Sequence, residues 1–238
     1  DIFTELHEFQ YLDDDTIIQI GSKSHKYDNQ NVDSGIISIL NQKNGTNFIW
    51  DSIDHVSPDS SIVPMKEWGM KSNDYFHMNA VRILSDGNYL ASARHTQTIM
   101  KIDKLSGEII WHMGKGSLNN FKFINDPYNG FSHQHAPEEL DNKNILIWDN
   151  GIGSIENGSR VCEYKIDENK LTATLVWSKE FKDLQANVAG NCYPIDGNNF
   201  IAAFGSQGYI QEFNKDGSNL LSIDPGGLIY QVMKIKVN

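Results

Sequence analysis

The chain has 238 residues, of which 39% are hydrophobic, and this composition predicts a folded protein rather than a disordered one. Its formal net charge of −11 argues against a nucleic-acid binder, because such proteins need an excess of Lys and Arg to neutralise phosphates. No apolar run approaches the roughly 20 residues that a membrane-spanning helix needs. Enzymes and binding modules therefore remain.

The first predicted elements are two segments with strand-like alternation, 16-TIIQIG-21 and 35-GIISILNQKNGTNFIW-50. The same pair of patterns returns three times along the chain, at 88–94 with 97–111, 144–150 with 160–177, and 199–205 with 208–221. A turn rich in Asp, Gly and Asn precedes each pair, as is typical of tight hairpins. Each copy therefore predicts a four-stranded antiparallel meander.

Radial repetition of such sheets is the β-propeller architecture, so we predict an all-β fold in one domain over residues 1–238. The blades are expected at 5–50, 76–114, 133–178 and 187–223, and residues 228–237 as one strand of a further blade. A short helix is considered only at 179–184. Four blades plus one strand either close with help from N-terminal residues or form a piece of a larger ring.

Polar side chains recur at equal distances before the repeated strands, where a propeller's innermost strands line the central channel. Five of them are expected to project into one channel mouth: His7, His77, Asn79, His133 and His135. Gly190 takes the equivalent position in the fourth copy.

Arg94 and Asn150 occupy equivalent positions at the far end of the second strand, so Arg94 is expected near His77 and Asn150 near His135. His95 should point to the opposite face unless a bulge intervenes. Arginine grips oxyanions, imidazole serves as nucleophile or acid–base, and Asn can donate to a developing oxyanion. This combination predicts a site for an anionic group.

Several phrases occur in one order along the chain: LHEF at 6–9, FHMNAV at 76–81, DGNYLASARHTQTIMKIDKLSGEIIWHMG at 86–114, HQHA at 133–136, ILIWDNG at 145–151 and SR at 159–160. In this order they resemble the arylsulfotransferase (arylsulfate sulfotransferase) family of β-propeller proteins, which have five- or six-bladed rings. The resemblance implies transfer of a sulfuryl group from an aryl sulfate to a phenol through a sulfurylated histidine. It implies neither a nucleotide sulfate donor nor any other cofactor.

The resemblance also implies residue roles. His135 would be the nucleophile and His77 the acid–base partner, while Arg94 and Arg160 would bind the sulfuryl oxygens. The remaining residues carried over are Asn79 and Asn150 as catalytic residues, and His7, His95 and His133 as substrate-binding residues. One departure is Ala136, which follows the Q-H pair where many relatives carry an acidic residue.

The expected location is secreted or extracytoplasmic, periplasmic if the source is bacterial. Two Asn-X-Ser/Thr sequons, at Asn44 and Asn157, fall in predicted turns and favour it modestly. The chain begins with Asp1 rather than Met, so a processed chain or a fragment is expected. Cys162 and Cys192 are predicted to be separate buried thiols.

Two alternatives stay open. The phrase 103-DKLSGEIIW-111 is also similar to quinoprotein-type propeller repeats, so the chain is alternatively a non-catalytic binding or assembly module, with self-association through open blade edges. A metal site made by His77, His133 and His135 is the other, but nearby arginines disfavour a cation, and we predict no metal. The expected partners are small molecules, an aryl sulfate and a phenol.

Overall fold

The structure, a computed structural model, describes residues 2–63 and 73–234. The chain divides into two compact units, Asp1–Asn120 and Phe121–Asn238. The predicted all-β class is confirmed, because these ranges contain strands and only three single-turn 3-10 helices. None of the helices found there is long and apolar enough to cross a membrane.

The first unit contains two antiparallel meanders. The first meander follows chain order, β1 (Ile2–Asp13), β2 (Thr16–Tyr27), β3 (Gln30–Asn41) and β4 (Gly45–Asp51), and the two-residue β5 (Asn73–Asp74) pairs in parallel with β3. The second meander is β6 (Met78–Ile83), β7 (Tyr89–Ala93), β8 (Thr98–Ile102) and β9 (Ile109–Gly114). The 3-10 helices Ser52–Asp54 and Pro58–Ser60 follow β4.

The second unit also contains two meanders. The first consists of β11 (His135–Glu139), β12 (Ile145–Asp149), β13 (Gly158–Asp167) and β14 (Thr172–Lys182), with β10 (Lys122–Ile124) added in parallel beside β14. The second consists of β15 (Asn191–Pro194), β16 (Asn199–Ala203), β17 (Ile210–Asn214) and β18 (Asn219–Ile223), with the 3-10 helix Gly205–Gln207 after β16. Four-stranded meanders of this kind are the blades of propellers.

The strands of the structure bear on two sequence-based predictions, at 179–184 and at 228–237. The short helix considered at 179–184 was wrong, because residues 179–182 continue β14 and pair with β13. The strand predicted over 228–237 stays a prediction: residues 228–234 carry no strand, and 235–237 lie outside the described residues.

The same local interaction closes the turn before the second strand of every sheet. A side-chain oxygen accepts a hydrogen bond from the N–H two residues later, at 2.8–3.0 Å, in the pairs Asp13–Asp15, Asp86–Asn88, Asn142–Asn144 and Asp196–Asn198. Asp and Asn favour turns for this reason, which explains why local sequence alone places these hairpins.

Two tryptophans on fourth strands, Trp50 on β4 and Trp177 on β14, join neighbouring sheets within a unit. Trp50 Nε1 donates to the carbonyl oxygen of Gly107 at 2.9 Å, in the turn between β8 and β9. Trp177 Nε1 donates to that of Lys215 at 3.0 Å, in the corresponding turn between β17 and β18. Each indole therefore packs apolar surface while its N–H binds a turn carbonyl, which gives these residues a structural role between the two sheets of a unit.

Candidate functional site

Three of the four sheets lose their regular register where predicted site residues lie. The β1–β2 pairing shifts around His7, the β6–β7 pairing at Asn79, and the β11–β12 pairing just after His135. His77 and His133 adopt left-handed backbone conformations, with φ of 51° and 55°. Bulges and such conformations redirect side chains and are concentrated beside functional sites.

The fourth sheet lacks this feature. Its β15–β16 register is unbroken, and Gly190 has a φ of 101° just before β15. A Cβ on Gly190 would lie 2.4 Å from Trp148 Nε1 and 2.9 Å from the carbonyl oxygen of Ala203. No side chain fits there, so the fourth copy cannot supply a histidine equivalent to His135.

In the first unit, His77 is the centre of a group of polar rings. Its Nδ1 pairs with the carboxylate of Asp74, and its backbone N–H donates to the other oxygen of that carboxylate at 2.8 Å. The ring stacks on His95, with centroids 4.5 Å apart, and meets His7 edge-on at 5.4 Å. We call these four residues the His77 cluster. Because an ionised carboxylate only accepts hydrogen bonds, His77 Nδ1 carries a proton, and the neutral ring keeps its lone pair on Nε2.

His95 joins this cluster because β7 ends before it. The strand stops at Ala93, and the backbone N–H of Arg94 then donates to the carbonyl oxygen of His77 at 3.0 Å, which confirms that Arg94 lies beside His77. His95 Nδ1 donates to the carbonyl oxygen of Asp74 at 2.7 Å. The opposite-face position was expected unless a bulge intervened; the β6–β7 register does shift opposite Ala93, and strand alternation no longer applies after that residue.

Burial and neighbouring charges together set the pKa values of His95 and Asp74 in the cluster and of the adjacent Arg94. Burial lowers the pKa of His95 to about 4, helped by the charges of His77 and Arg94, so its ring is neutral at pH 7. Burial alone would raise the pKa of Asp74, but the hydrogen bond and charge of His77 outweigh it and hold that pKa below its usual value. Burial lowers the pKa of Arg94, and the Asp74 carboxylate partly offsets this.

A small cleft lies against this cluster, with about 260 Å³ of empty volume, part of it open to solvent. It is lined by His7, Gly21, Ser22, Ser34, Gly35, Asp74, His77 and Met78. Asn79 follows on β6 and is buried, and Arg94 is half-buried. The cleft offers hydroxyl, imidazole and carboxylate groups to a small polar ligand.

In the second unit, His135 and Asn150 form a buried pair. His135 Nδ1 lies 2.8 Å from Asn150 Oδ1 and 3.1 Å from the carbonyl oxygen of His133. The amide is oriented by its own Nδ2, which donates to the carbonyl oxygens of Ala186 and Ala189 at 2.8 and 2.9 Å. Both neighbours of Nδ1 are therefore acceptors, so Nδ1 is protonated and Nε2 of the neutral ring holds the lone pair. The expected proximity of Asn150 and His135 is confirmed.

His133 has a separate hydrogen bond. Its Nδ1 lies 2.8 Å from Ser132 Oγ, whose hydroxyl donates to the carbonyl oxygen of Ile152 at 2.6 Å. The hydroxyl has one proton, so Ser132 accepts from His133 Nδ1. Half-buried His133 thus contributes its carbonyl oxygen to His135, and its substrate-binding role stays a prediction.

Arg160 is the centre of a buried ion-pair network. Its Nε donates to Asp149 at 2.8 Å, and Nη1 and Nη2 donate to the two oxygens of Asp126 at 2.8 and 3.2 Å. Nη2 also lies 3.0 Å from the carbonyl oxygen of Gly130 and 3.3 Å from the hydroxyl of Tyr164. All three guanidinium nitrogens therefore have protein acceptors and none is exposed. This arrangement does not support the predicted role of Arg160 as a sulfuryl ligand.

Three carboxylates that bind the predicted site residues were not predicted from the sequence: Asp74, Asp126 and Asp149. Asp149 immediately precedes Asn150 in the D-N-G phrase, and Asp74 stands three residues before His77. Acidic residues so close to predicted site residues were an available signal. Asp126 lies seven residues before His133 but 34 residues before Arg160, and no local signal connects it to Arg160.

Comparison with known proteins gives one family. The family model described as arylsulfotransferase (ASST) matches residues 3–232. No curated protein matches the chain.

Similar solved structures include a protein of unknown function from Bacteroides caccae, with 13% identity and a TM-score of 0.48 over 82% of this chain and 56% of that one. BamB from Moraxella catarrhalis has 12% identity and a TM-score of 0.42, over 96% and 53% of the two chains. Selenomethionine-substituted virginiamycin B lyase from Staphylococcus aureus has 14% identity and a TM-score of 0.39, over 90% and 59%. The chain thus spans little more than half the length of these structures.

Proposed function

The chain belongs to the arylsulfotransferase family, and from that premise we propose that it transfers a sulfuryl group from an aryl sulfate to a phenol through a sulfohistidine at His135. The observation that carries the proposal is the fixed tautomer of His135. Asn150 and the His133 carbonyl hold a proton on Nδ1, which leaves the Nε2 lone pair as the nucleophile.

In the first step, Nε2 of His135 attacks the sulfur, the sulfur–aryl oxygen bond breaks, and the phenolate leaves and takes up a proton. The sulfurylated ring is cationic while it keeps its Nδ1 proton. Asn150 Oδ1 and the His133 carbonyl oxygen then accept a stronger hydrogen bond, which stabilises that charge. In the second step an acceptor phenol loses its proton and attacks the sulfur. The nitrogen–sulfur bond breaks, and the neutral imidazole is restored.

Two further roles in the proposal come from the family resemblance rather than from a measured arrangement. His77 is assigned the acid–base role, and its pairing with Asp74 suits it, because a carboxylate orients an imidazole and stabilises its protonated form. Arg94 is assigned the role of binding the sulfuryl oxygens. We leave Arg160 out of substrate binding because its nitrogens already bind carboxylates.

The proposal includes an extracytoplasmic location. Both sequon asparagines, Asn44 and Asn157, are exposed in turns, where a glycan is sterically acceptable.

The test is release of 4-nitrophenol from 4-nitrophenyl sulfate with and without phenol, for the native chain and for His135→Ala. A half-buried histidine outside the proposed site, His112→Ala, is the matched control. We expect acceptor-dependent release and, without acceptor, a sulfuryl adduct on the peptide that contains His135, detected by mass spectrometry. Both should disappear in His135→Ala and persist in His112→Ala. A folded native chain that shows neither release nor adduct with a panel of aryl sulfates would favour the non-catalytic binding or assembly module.

A further inference from the structure

We propose that the His77 cluster binds a divalent transition-metal ion through Asp74, His77 and His95. Each of these side chains offers one ligand atom, and the three atoms lie within 4.8 Å of one another. Across residues 2–63 and 73–234 this is the one group of three His, Cys, Asp or Glu side chains that meets this condition. The inference does not rest on sulfuryl transfer: a metal-bound His77 cannot exchange a proton, so the bound ion and the acid–base role proposed for His77 exclude each other. The site shares only His77 with the metal site considered from the sequence.

The spacing requires only a small adjustment. Metal–nitrogen and metal–oxygen bonds of about 2.0–2.2 Å place two ligands of a tetrahedral ion roughly 3.4 Å apart. The three ligand atoms lie at most 4.8 Å apart, so side-chain rotations that move the atoms by about 1 Å bring them to this spacing. His77 and His95 are already stacked, and the Nδ1 atoms of both bind Asp74. Asp74 therefore already holds both imidazoles, one through its carboxylate and one through its carbonyl oxygen, and the ion takes the place of the proton between His77 Nδ1 and the carboxylate.

The ligand types select the class of metal. Two imidazoles and one carboxylate suit zinc, cobalt, nickel or copper, whereas calcium and magnesium prefer oxygen ligands. His95 Nδ1 donates to the carbonyl oxygen of Asp74, so Nε2 of its neutral ring holds the lone pair. The Asp74 carboxylate supplies an oxygen ligand with negative charge.

Arg94 is the main charge that opposes a cation here. Its effect is offset by the Asp74 carboxylate, with which it interacts favourably. Asp74 and His77 also line the cleft that contains His7, Ser22 and Ser34. A bound ion therefore has room for water or an anion beside its protein ligands, and an anion would be favoured by Arg94.

The test is isothermal titration of the full chain with zinc chloride, together with cobalt(II) titration followed by visible absorption, which reports nitrogen and oxygen ligands directly. The variants are His95→Gln and Asp74→Asn. The control is His25→Gln, because His25 Nε2 also contacts a carboxylate, that of Asp51 at 3.0 Å, but belongs to no group of three ligands among the described residues. Circular dichroism establishes that each variant is folded.

We expect one equivalent of metal to bind the native chain, with affinity reduced at least about tenfold in each cluster variant and unchanged in the control. Absence of binding by the folded native chain, or an equal loss in His25→Gln, would overturn the inference. If His95→Gln does not fold, Asp74→Asn alone decides. Titration of His135→Ala separates the two proposals, because that variant should bind metal normally while lacking sulfuryl transfer.

Discussion

Replacing Arg160 by Met tests whether its charge supports the fold or the substrate. The substitution keeps an unbranched side chain but leaves Asp126 and Asp149 buried without their cation; the ion-paired side chains are 0% exposed. Breaking a buried ion pair from one side costs about 3–5 kcal/mol. For a chain of this size, each kcal/mol lowers the melting temperature by roughly 2–4 °C, so we expect a decrease of about 6–20 °C at pH 7.5.

The loss of stability in Arg160→Met should depend on pH. In the native chain, burial would raise the pKa of Asp126, but hydrogen bonds from Arg160 and Tyr164 outweigh it and lower that pKa. Asp126 thus contributes stability above its unfolded pKa, and this is lost as pH falls through its folded pKa. Burial already raises the pKa of Asp149 in the native chain, and without Arg160 we expect burial to raise that of Asp126 above its unfolded value as well. The variant then binds protons on folding, so its deficit should be larger at pH 7.5 than at pH 5.5.

Thermal unfolding by circular dichroism at the two pH values measures the effect. The matched control is Lys170→Met, which removes an exposed ion pair with Asp167, 3.1 Å apart, and should leave the melting temperature nearly unchanged. If Arg160→Met melts like this control and instead binds aryl sulfates more weakly, the structural role argued for Arg160 is refuted and the sequence-based role is restored.

Three further predictions concern stability and reactivity. Trp177→Phe keeps an aromatic ring but loses the hydrogen bond to Lys215, so it should lower the free energy of unfolding by about 1 kcal/mol in urea titrations; an unchanged midpoint would contradict this. Burial lowers the pKa of His112 to about 4, below its unfolded value, so stability should fall as pH drops from about 6.5 to 4. His112→Gln should flatten that dependence by up to about 3 kcal/mol, and an unaltered pH profile would refute the assignment. Burial raises the pKa of Cys162 to about 12 and also raises that of Cys192, so neither free thiol should react with a thiol reagent before unfolding; native-state labelling would be the contrary result.

The sheets were predictable because their signals are local. Asp86 and Asp196 each close a turn through the N–H two residues later, and the short apolar segments that follow form strands that are buried over nearly their whole length. The parallel additions β5 and β10 were missed because they are two and three residues long and depend on pairing with distant strands. Residues 179–182 were misjudged because a short charged segment at a sheet edge has no clear period of its own.

The candidate site was predictable to the extent that it follows the meanders. Counting from equivalent strands placed Asn150 beside His135 and Arg94 beside His77, and the structure confirms both contacts. The position of His95 depends on where β7 ends, which alternation does not encode. The partner of Arg160, Asp126, comes from a connection outside the meanders, and counting between strands gives no position for it.

Asp74 was not predicted as a partner of His77, whereas Asn150 was predicted as a neighbour of His135. These two partners give the two histidines different chemistry. His77 Nδ1 faces the ionised carboxylate of Asp74, which orients the ring and suits the acid–base role proposed for it. His135 Nδ1 faces the neutral amide of Asn150, which fixes the tautomer without adding negative charge. A nucleophile that must approach an anionic sulfate ester benefits from that neutrality, because a carboxylate in the place of the amide would repel the substrate. The contrast between these two partners is therefore the physical reason for assigning nucleophilic attack to His135 and proton transfer to His77.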